Sequence, residues 1–231
     1  MIVNKQTIDE LMTPSAFKRE NYSAHLYAPY SIKLHRRVYI YTHDSYNLWV
    51  FIETNPKISS YNEDVEKIPI SLEDGNVINI SPRFIALKVD GVVEVHTILN
   101  NSQKPSDKKI AEINAWQRFC QLHGFNYQNW TSEELTINKV RLANYKKLLR
   151  YTSSPNSVVN RKLEHQVLSE ISNVRKIVFY KILQHFPLSD PEDIKTSIAR
   201  LIISNQVYSD LDLYPFSMLT EISAHHEFHS N

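Results

Sequence analysis

The sequence predicts a mixed α/β protein in which a sheet flanked by helices is followed by a smaller, mostly helical domain. Three observations support this fold class. The turn signals Asp74-Gly75 and Asp90-Gly91 each join two β-prone runs in the first half of the chain. Helical and strand-like segments alternate from residue 106 to 151. Turn-forming residues then fill positions 152–157. We therefore expect two domains, at about 1–152 and 157–231.

The composition is that of an ordinary globular protein. Hydrophobic residues make up 42% and charged residues 22% of the 231 positions, which excludes disordered, collagen-like and coiled-coil classes. No apolar run approaches the roughly 18 residues that a spanning helix needs, and the first residues lead into no signal-type segment. The single cysteine, Cys120, excludes a disulfide scaffold and a cysteine-rich zinc finger. We expect a cytoplasmic protein with no membrane segment.

The first half of the chain is rich in predicted strands. A short aromatic strand is predicted at 38–41, and one hairpin over 67–72 and 76–80. A second hairpin is predicted over 84–89 and 92–99. If Asp90-Gly91 is a two-residue turn, Ile85 lies opposite His96, and Arg83, Glu94 and His96 share one face of the hairpin.

A helix, a strand and a second helical segment are predicted next. Ser106 can cap a helix that ends before Gly124, and residues 125–130 form a strand. Thr131 and Glu134 have the spacing of a capping box, which opens the following helical segment. This order predicts a mixed sheet with helices on its faces.

The C-terminal part combines three helical segments with a strand. Helical periodicity occurs at 158–172, 175–186 and 191–204, and an alternating pattern follows at 207–213. Three short helices followed by a strand pair are typical of a winged-helix-like domain, a common DNA-binding unit. A helical assembly or dimerisation domain is the alternative interpretation.

The near-neutral total charge hides a basic segment. Residues 136–181 hold ten basic and two acidic residues, whereas residues 44–75 and 182–231 each hold seven acidic and two basic residues. Such a segment indicates a surface that faces phosphates, whereas a solvated helix face is the plainer explanation. The candidate DNA-binding residues are Lys139, Arg141, Lys146, Lys147 and Arg150.

Several motifs, taken in order, resemble one nuclease family. Ser81-Pro82-Arg83-Phe84 resembles a "T/S-P-D-F" motif, and Val93-Glu94-Val95-His96 resembles "E/Q-V/I-K". Segments 51–63, 113–124, 130–134 and 142–151 resemble further family regions in the same order. The chain is therefore similar, over most of its length, to the PD-(D/E)xK nucleases, and within them to the TnsA subunit of heteromeric transposases. The resemblance implies a restriction-endonuclease-like domain followed by a winged-helix domain.

The resemblance also implies site positions, and these have lost the family's chemistry. Phosphodiester hydrolysis needs Mg²⁺ held by converging carboxylates. The family's aspartate position holds Arg83, a permanent cation that cannot bind a metal, and its lysine position holds His96. Glu94 remains as a carboxylate, and the position of the family's helix glutamate corresponds to Ser45, beside Asp44.

The resulting hypothesis is a TnsA-like transposase subunit with a degenerate nuclease site. It would bind transposon-end DNA, a DDE-type recombinase subunit (TnsB-like) and an AAA+ regulator (TnsC-like), and we expect no cofactor. One alternative is an active Mg²⁺ endonuclease that has moved its carboxylates to Asp44 and Glu94. Another is an unrelated DNA-binding or assembly protein.

Overall fold

The computed structural model describes residues 5–14, 26–72, 75–99, 106–152 and 160–224. Internal contacts divide the chain into two compact units, one comprising residues 1–52 and 57–137 and the other residues 53–56 and 138–231. The helix 139–152 belongs to the second unit in this division. The linker expected at 152–157 lies outside the described residues from position 153 onward.

The first unit is built around a four-stranded mixed sheet. Its strand order is β3 (Ile58–Asn62), β6 (Phe84–Lys88), β7 (Val93–Leu99) and β8 (Asn126–Thr131), with antiparallel pairing except between β7 and β8, which are parallel. Two small hairpins, β1/β2 and β4/β5, accompany this sheet. The elements are α1 (Lys5–Met12), β1 (Tyr30–Ser31), β2 (Arg36–Arg37), α2 (His43–Thr54), β3 (Ile58–Asn62), β4 (Ile68–Ser71), β5 (Val77–Ile80), β6 (Phe84–Lys88), β7 (Val93–Leu99), α3 (Asp107–His123), β8 (Asn126–Thr131) and α4 (Ser132–Thr136).

The mixed α/β class and most predicted elements of this unit are confirmed. Both hairpins form, and β8 follows α3 as expected. The side chain of Ser106 caps α3, and Gly124 ends the helix at φ 70°, a left-handed conformation that glycine adopts without strain. The Thr131 capping box is present at α4. The strand expected at 38–41 is wrong, because Ile40 forms only an isolated bridge with Tyr27.

The register predicted for the β6/β7 hairpin is also wrong, by one residue. The connection is a three-residue loop, in which the Lys88 N–H donates to the Val92 carbonyl and the Gly91 N–H donates to the Lys88 carbonyl. Gly91, at φ 84°, supplies the left-handed position that such a loop requires. Phe84 therefore lies opposite His96, and Ala86 lies opposite Glu94. A one-residue shift exchanges the two faces of β6 relative to β7, and Arg83 falls before the strand begins.

The two faces of the central sheet differ in polarity. On the face toward α3, Ile85, Val93 and Val95 pack in an apolar cluster with helix residues that include Trp116 and Cys120. On the other face, Phe84 meets the ring of Tyr61, whose hydroxyl accepts a hydrogen bond from Trp49 of α2. Glu94 and His96 lie on this second face, because side chains alternate along a strand and His96 is opposite Phe84.

In its described residues, the second unit combines four helices with a small antiparallel sheet, in which β11 (Glu221–Ala224) lies between β10 (Val207–Tyr208) and β9 (Lys176–Val178). Helix α8 packs against both α5 and α6. The segment expected as helix 175–186 begins with strand β9, and the strand expected at 207–213 ends at Tyr208. The elements are α5 (Lys139–Thr152), α6 (Arg161–Val174), β9 (Lys176–Val178), α7 (Phe179–His185), α8 (Pro191–Ile203), β10 (Val207–Tyr208) and β11 (Glu221–Ala224).

Within the described part of the chain, no helix combines the length and the apolar character needed to cross a membrane.

Candidate functional site

Strand β7 places Glu94 and His96 side by side on the sheet face toward α2. His96 is 3% exposed, and its Nε2 lies 3.5 Å from Glu94 Oε2. The Nζ of Lys88 approaches the other Glu94 oxygen at 3.8 Å. The His96 ring, with smaller contributions from Lys88 and Asn126, holds the pKa of Glu94 below its ordinary value, although burial acts in the opposite direction. Glu94 is therefore an ionised carboxylate that already has partners within the fold.

Trp130 determines the state of the His96 ring. The indole Nε1–H of Trp130 donates to His96 Nδ1 at 3.1 Å. Because an indole N–H can only donate, this bond requires that Nδ1 carry no proton. The proton of the neutral ring then sits on Nε2, which faces Glu94 Oε2 at 3.5 Å but has no hydrogen-bond partner among the described residues. His96 in this state supplies neither a fixed positive charge nor a free Nε2 lone pair.

These residues do not fit a Mg²⁺ ion, which prefers several oxygen ligands in an octahedral arrangement. Glu94 offers one carboxylate, and the neighbouring ring presents an N–H to it. Over the described ranges, no three His, Cys, Asp or Glu residues gather closely enough to hold a metal ion. Glu94 and His96 therefore lack the oxygen ligands that metal-assisted hydrolysis at this site would require.

Ser45 and Arg83, the other two site positions expected from the sequence, line a separate cavity of about 170 Å³. Ser45, in the first turn of α2, is 4% exposed, and its Oγ accepts a hydrogen bond from the Thr42 hydroxyl. Arg83 is exposed, and its backbone N–H donates to the His96 carbonyl at 2.8 Å. Neither Glu94 nor His96 lines this cavity. The structure thus separates the four positions into a buried pair and an open groove.

Two acids also line the groove, and they differ in their exposure. The carboxylate of Glu63 is 3% exposed and forms two hydrogen bonds with the Arg36 guanidinium, at 2.5 and 2.7 Å. This pairing raises the pKa of Arg36 above its ordinary value, so both charges persist and balance each other. Asp64 is exposed and carries a negative charge near the groove.

Asp44, the acid that a relocated nuclease site would use, is engaged elsewhere. Its Oδ2 accepts a hydrogen bond of 2.5 Å from the hydroxyl of Ser132, at the start of α4. This contact ties α2 to α4, which gives Asp44 a structural role in the first unit.

The five candidate DNA-binding cations all lie on α5, and they divide into two groups. Lys139, Lys146 and Arg150 follow a spacing of seven and four residues, which places them on one side of the helix. Lys139 and Arg150 are exposed, whereas partial burial lowers the pKa of Lys146. We call these three residues the basic stripe.

The other two cations contact the segment between β10 and β11. Arg141 pairs with Asp212 at 3.4 Å, and Lys147 Nζ donates to the Phe216 carbonyl at 3.0 Å. Asn144 lies between these two residues in the sequence and is buried. It makes three hydrogen bonds of 2.7 Å with main-chain groups of the same segment. Arg141 and Lys147 are thus partly committed to holding this segment.

Sequence reasoning missed Trp130, Lys88 and Asn144 as important side chains. The position of Trp130 could have been found by extending the pattern of β7 to a parallel neighbour, because Ile98 pairs with Trp130 and every second residue shares a face. The contacts of Asn144 with residues 211–216 carried no local signal, since they join positions about 70 residues apart.

The chain has no match among protein-family models, and a search of curated protein sequences also finds none.

Proposed function

We propose that this protein is a TnsA-like subunit of a DNA transposase, which binds DNA and partner proteins through a nuclease-type framework that has lost its metal chemistry. The first unit supports this proposal because it supplies the parts that such a site needs. Helix α2 lies over one face of the sheet, and the β6/β7 hairpin carries Glu94 and His96 two residues apart on that face. A restriction-endonuclease-like fold is the form we propose for this unit.

One observation carries the proposal: Glu94 keeps a carboxylate but lies beside a lysine and a neutral histidine, while the other two expected positions, in the separate groove, hold an arginine and a serine. Glu94 is bound by Lys88 and by a histidine whose ring is fixed by Trp130. Arg83 and Ser45 occupy the other two expected positions. Such a set suits contact with an anion better than ligation of a cation.

The second unit supports the proposal through its order of elements. Helices α6, α7 and α8 are followed by the paired strands β10 and β11, as a winged-helix-like domain would require. The first turn of α8 holds the acids Glu192 and Asp193, and α8 packs with one side against α5 and with another against α6. We therefore assign DNA contact in this unit to the basic stripe on α5, since a phosphate surface needs positive charge.

The partner proteins would be a DDE-type recombinase and an AAA+ regulator, in the cytoplasm. A contact surface is available between β10 and β11, where Leu213, Tyr214 and Leu219 are 66%, 67% and 77% exposed. Large exposed apolar side chains grouped in one segment are typical of protein interaction sites. Asn144 holds this segment in place from within.

The active-endonuclease alternative has less support. It needs Asp44 and Glu94 to converge on a metal, and each carboxylate is already bound by a different part of the first unit, Asp44 by Ser132 and Glu94 by Lys88 and His96.

The test is duplex DNA binding by the full chain, measured by fluorescence anisotropy over a range of salt concentrations. Each phosphate contact contributes about 0.9 to the slope of log K against log salt. Replacing Lys139 and Arg150 with Gln should lower the slope by nearly two contacts and weaken binding to all sequences alike. Replacing Arg141 and Lys147 with Gln is the matched control, and it should change the slope less because both side chains have internal partners. An affinity that does not depend on salt would contradict the proposed function and favour an assembly protein.

A further inference from the structure

We infer that the groove lined by Ser45, Ser81 and Arg83 binds one phosphate group of a nucleic-acid backbone directly, with the Arg83 guanidinium as the principal contact. This inference rests on the proposed function and names the ligand that the groove would bind. In an active nuclease the corresponding corner of the site would hold a metal ion against the phosphate. Here the arginine provides the positive charge itself.

Arg83 has the availability that this role requires. Its side chain is exposed and lines the cavity, and its guanidinium forms no ion pair with any residue in the described ranges. Its backbone is held by the hydrogen bond to the His96 carbonyl, next to the first residue of β6. The planar fork of a guanidinium matches two oxygens of a phosphate, which makes arginine well suited to this contact.

Hydroxyl groups add further donors at the same place. The Oγ of Ser45 accepts from Thr42, so its own proton remains to donate, and this hydroxyl is nearly buried at the groove. Ser81 lines the cavity two residues before Arg83 and is exposed. The guanidinium and the two hydroxyls can all donate hydrogen bonds to a phosphate in their ordinary protonation states.

The charge balance of the groove permits an anion but does not favour it strongly. Glu63 is neutralised by its paired hydrogen bonds to Arg36, so it contributes little net charge. Asp64, which also interacts with the charge of Arg36, adds a negative charge at the rim. Because of Asp64, we expect a single phosphate to bind weakly by itself, and to bind better as part of a polymer that also contacts other cations.

The size of the cavity is compatible with this ligand. Its volume of about 170 Å³ is several times the roughly 30 Å³ that one water molecule occupies in the liquid. One phosphate with some water fits such a space, whereas a whole nucleotide would have to remain largely outside. The groove would therefore fix the position of the backbone without reading the base sequence.

The first experiment compares variants of the full chain in duplex DNA binding. We expect Arg83→Gln to weaken binding about tenfold, as for loss of a charged hydrogen bond, and to lower the salt slope by about 0.9. Arg83→Lys should keep the slope and lose part of the affinity, because charge remains and the fork does not. Asp64→Asn should strengthen binding. The control is Lys108→Gln, which removes an exposed cation from α3 on the other side of the sheet and should change affinity by less than about twofold.

The second experiment observes the Arg83 Nε–H signal by NMR in the full chain, with inorganic phosphate and with a short DNA duplex. A shift with DNA at micromolar concentration and with phosphate only at millimolar concentration is the expected result. A shift with phosphate but none with DNA would identify a site for a free anion and overturn the backbone assignment. Suppose that DNA binding depends on salt and on Lys139 and Arg150, but that Arg83→Gln and Lys108→Gln have the same affinity for DNA. The groove inference is then wrong and the proposed function stands. If neither probe moves the signal, there is no phosphate site.

Discussion

The two units each bury a polar side chain at a central position, and the two side chains are satisfied to very different degrees. In the second unit, Asn144 is 4% exposed and uses both ends of its amide in three hydrogen bonds of 2.7 Å. In the first unit, His96 is 3% exposed, with one nitrogen bonded to Trp130 and the other 3.5 Å from Glu94.

This difference separates a fully paired structural position from the pair of residues that the proposed function treats as a degenerate nuclease site. Buried polar groups are nearly always paired in folded proteins, and an incompletely paired group is more typical of a functional site. Asn144 meets the structural expectation fully. His96 and Glu94 are held loosely by comparison, in the face of the sheet that the nuclease framework would use for catalysis. The comparison can be tested by removing the polar groups on each side.

The largest effect is expected for Asn144→Ala. The change leaves the carbonyls of Leu211 and Tyr214 and the N–H of Phe216 without their partner. Two of these groups are buried, and each unsatisfied buried group costs about 1–3 kcal/mol, so we expect the free energy of unfolding to fall by at least about 2 kcal/mol. Urea unfolding followed by circular dichroism measures this change.

Asn138→Ala is the matched control for that prediction. Asn138 donates one hydrogen bond to the Asp212 carbonyl and accepts one from the Arg141 N–H near the start of α5. Its loss should cost about 1 kcal/mol, as for an exposed helix cap. Equal losses for the two variants would contradict the role given to Asn144.

A smaller effect is expected for Trp130→Phe in the first unit. The substitution keeps an aromatic ring but removes the N–H that His96 Nδ1 accepts, and should lower the free energy of unfolding by about 1 kcal/mol. The more specific measurement is ¹⁵N NMR of the His96 ring. Wild type should show the proton on Nε2, and the variant a mixture of both tautomers. A wild-type ring with its proton on Nδ1 would refute the arrangement described here.

The smallest effect concerns Glu94 and pH. Because its folded pKa lies below the ordinary value of 4.5, ionised Glu94 stabilises the fold above that value, and this stabilisation is lost as the pH falls through the folded pKa. Glu94→Gln should therefore reduce the loss of stability between about pH 5 and pH 3. Chemical unfolding at several pH values measures the two slopes. Parallel slopes for wild type and variant would show that the partners of Glu94 do not favour its ionised form.

Much of the fold could be predicted from local signals, and the failures have identifiable causes. Caps and turns such as Ser106 and Gly124 act within a few residues, so the sequence determines them. The β6/β7 register depended on whether Asp90-Gly91 forms a two-residue or a three-residue loop, and both use glycine with positive φ. That single choice decides which residues of β6 face His96.

The sequence allowed the candidate site residues to be predicted, but not how they lie relative to one another. Glu94 and His96 had to share a face because they are two residues apart on a strand. Their separation from Ser45 and Arg83 depended on how α2 and the start of β6 pack, which is a tertiary property. The tie between Asp44 and Ser132 joins positions 88 residues apart and had no local signature.

The central claim is that this framework binds DNA without cutting it, and a cleavage assay tests it most directly. Wild-type protein, with any recombinase partner present, should shift labelled transposon-end DNA but leave it unnicked in Mg²⁺ or Mn²⁺. If the wild type nicks the DNA, and Glu94→Gln abolishes this cleavage while Arg83→Ala leaves it intact, then Glu94 still serves a working metal site and the claim is wrong.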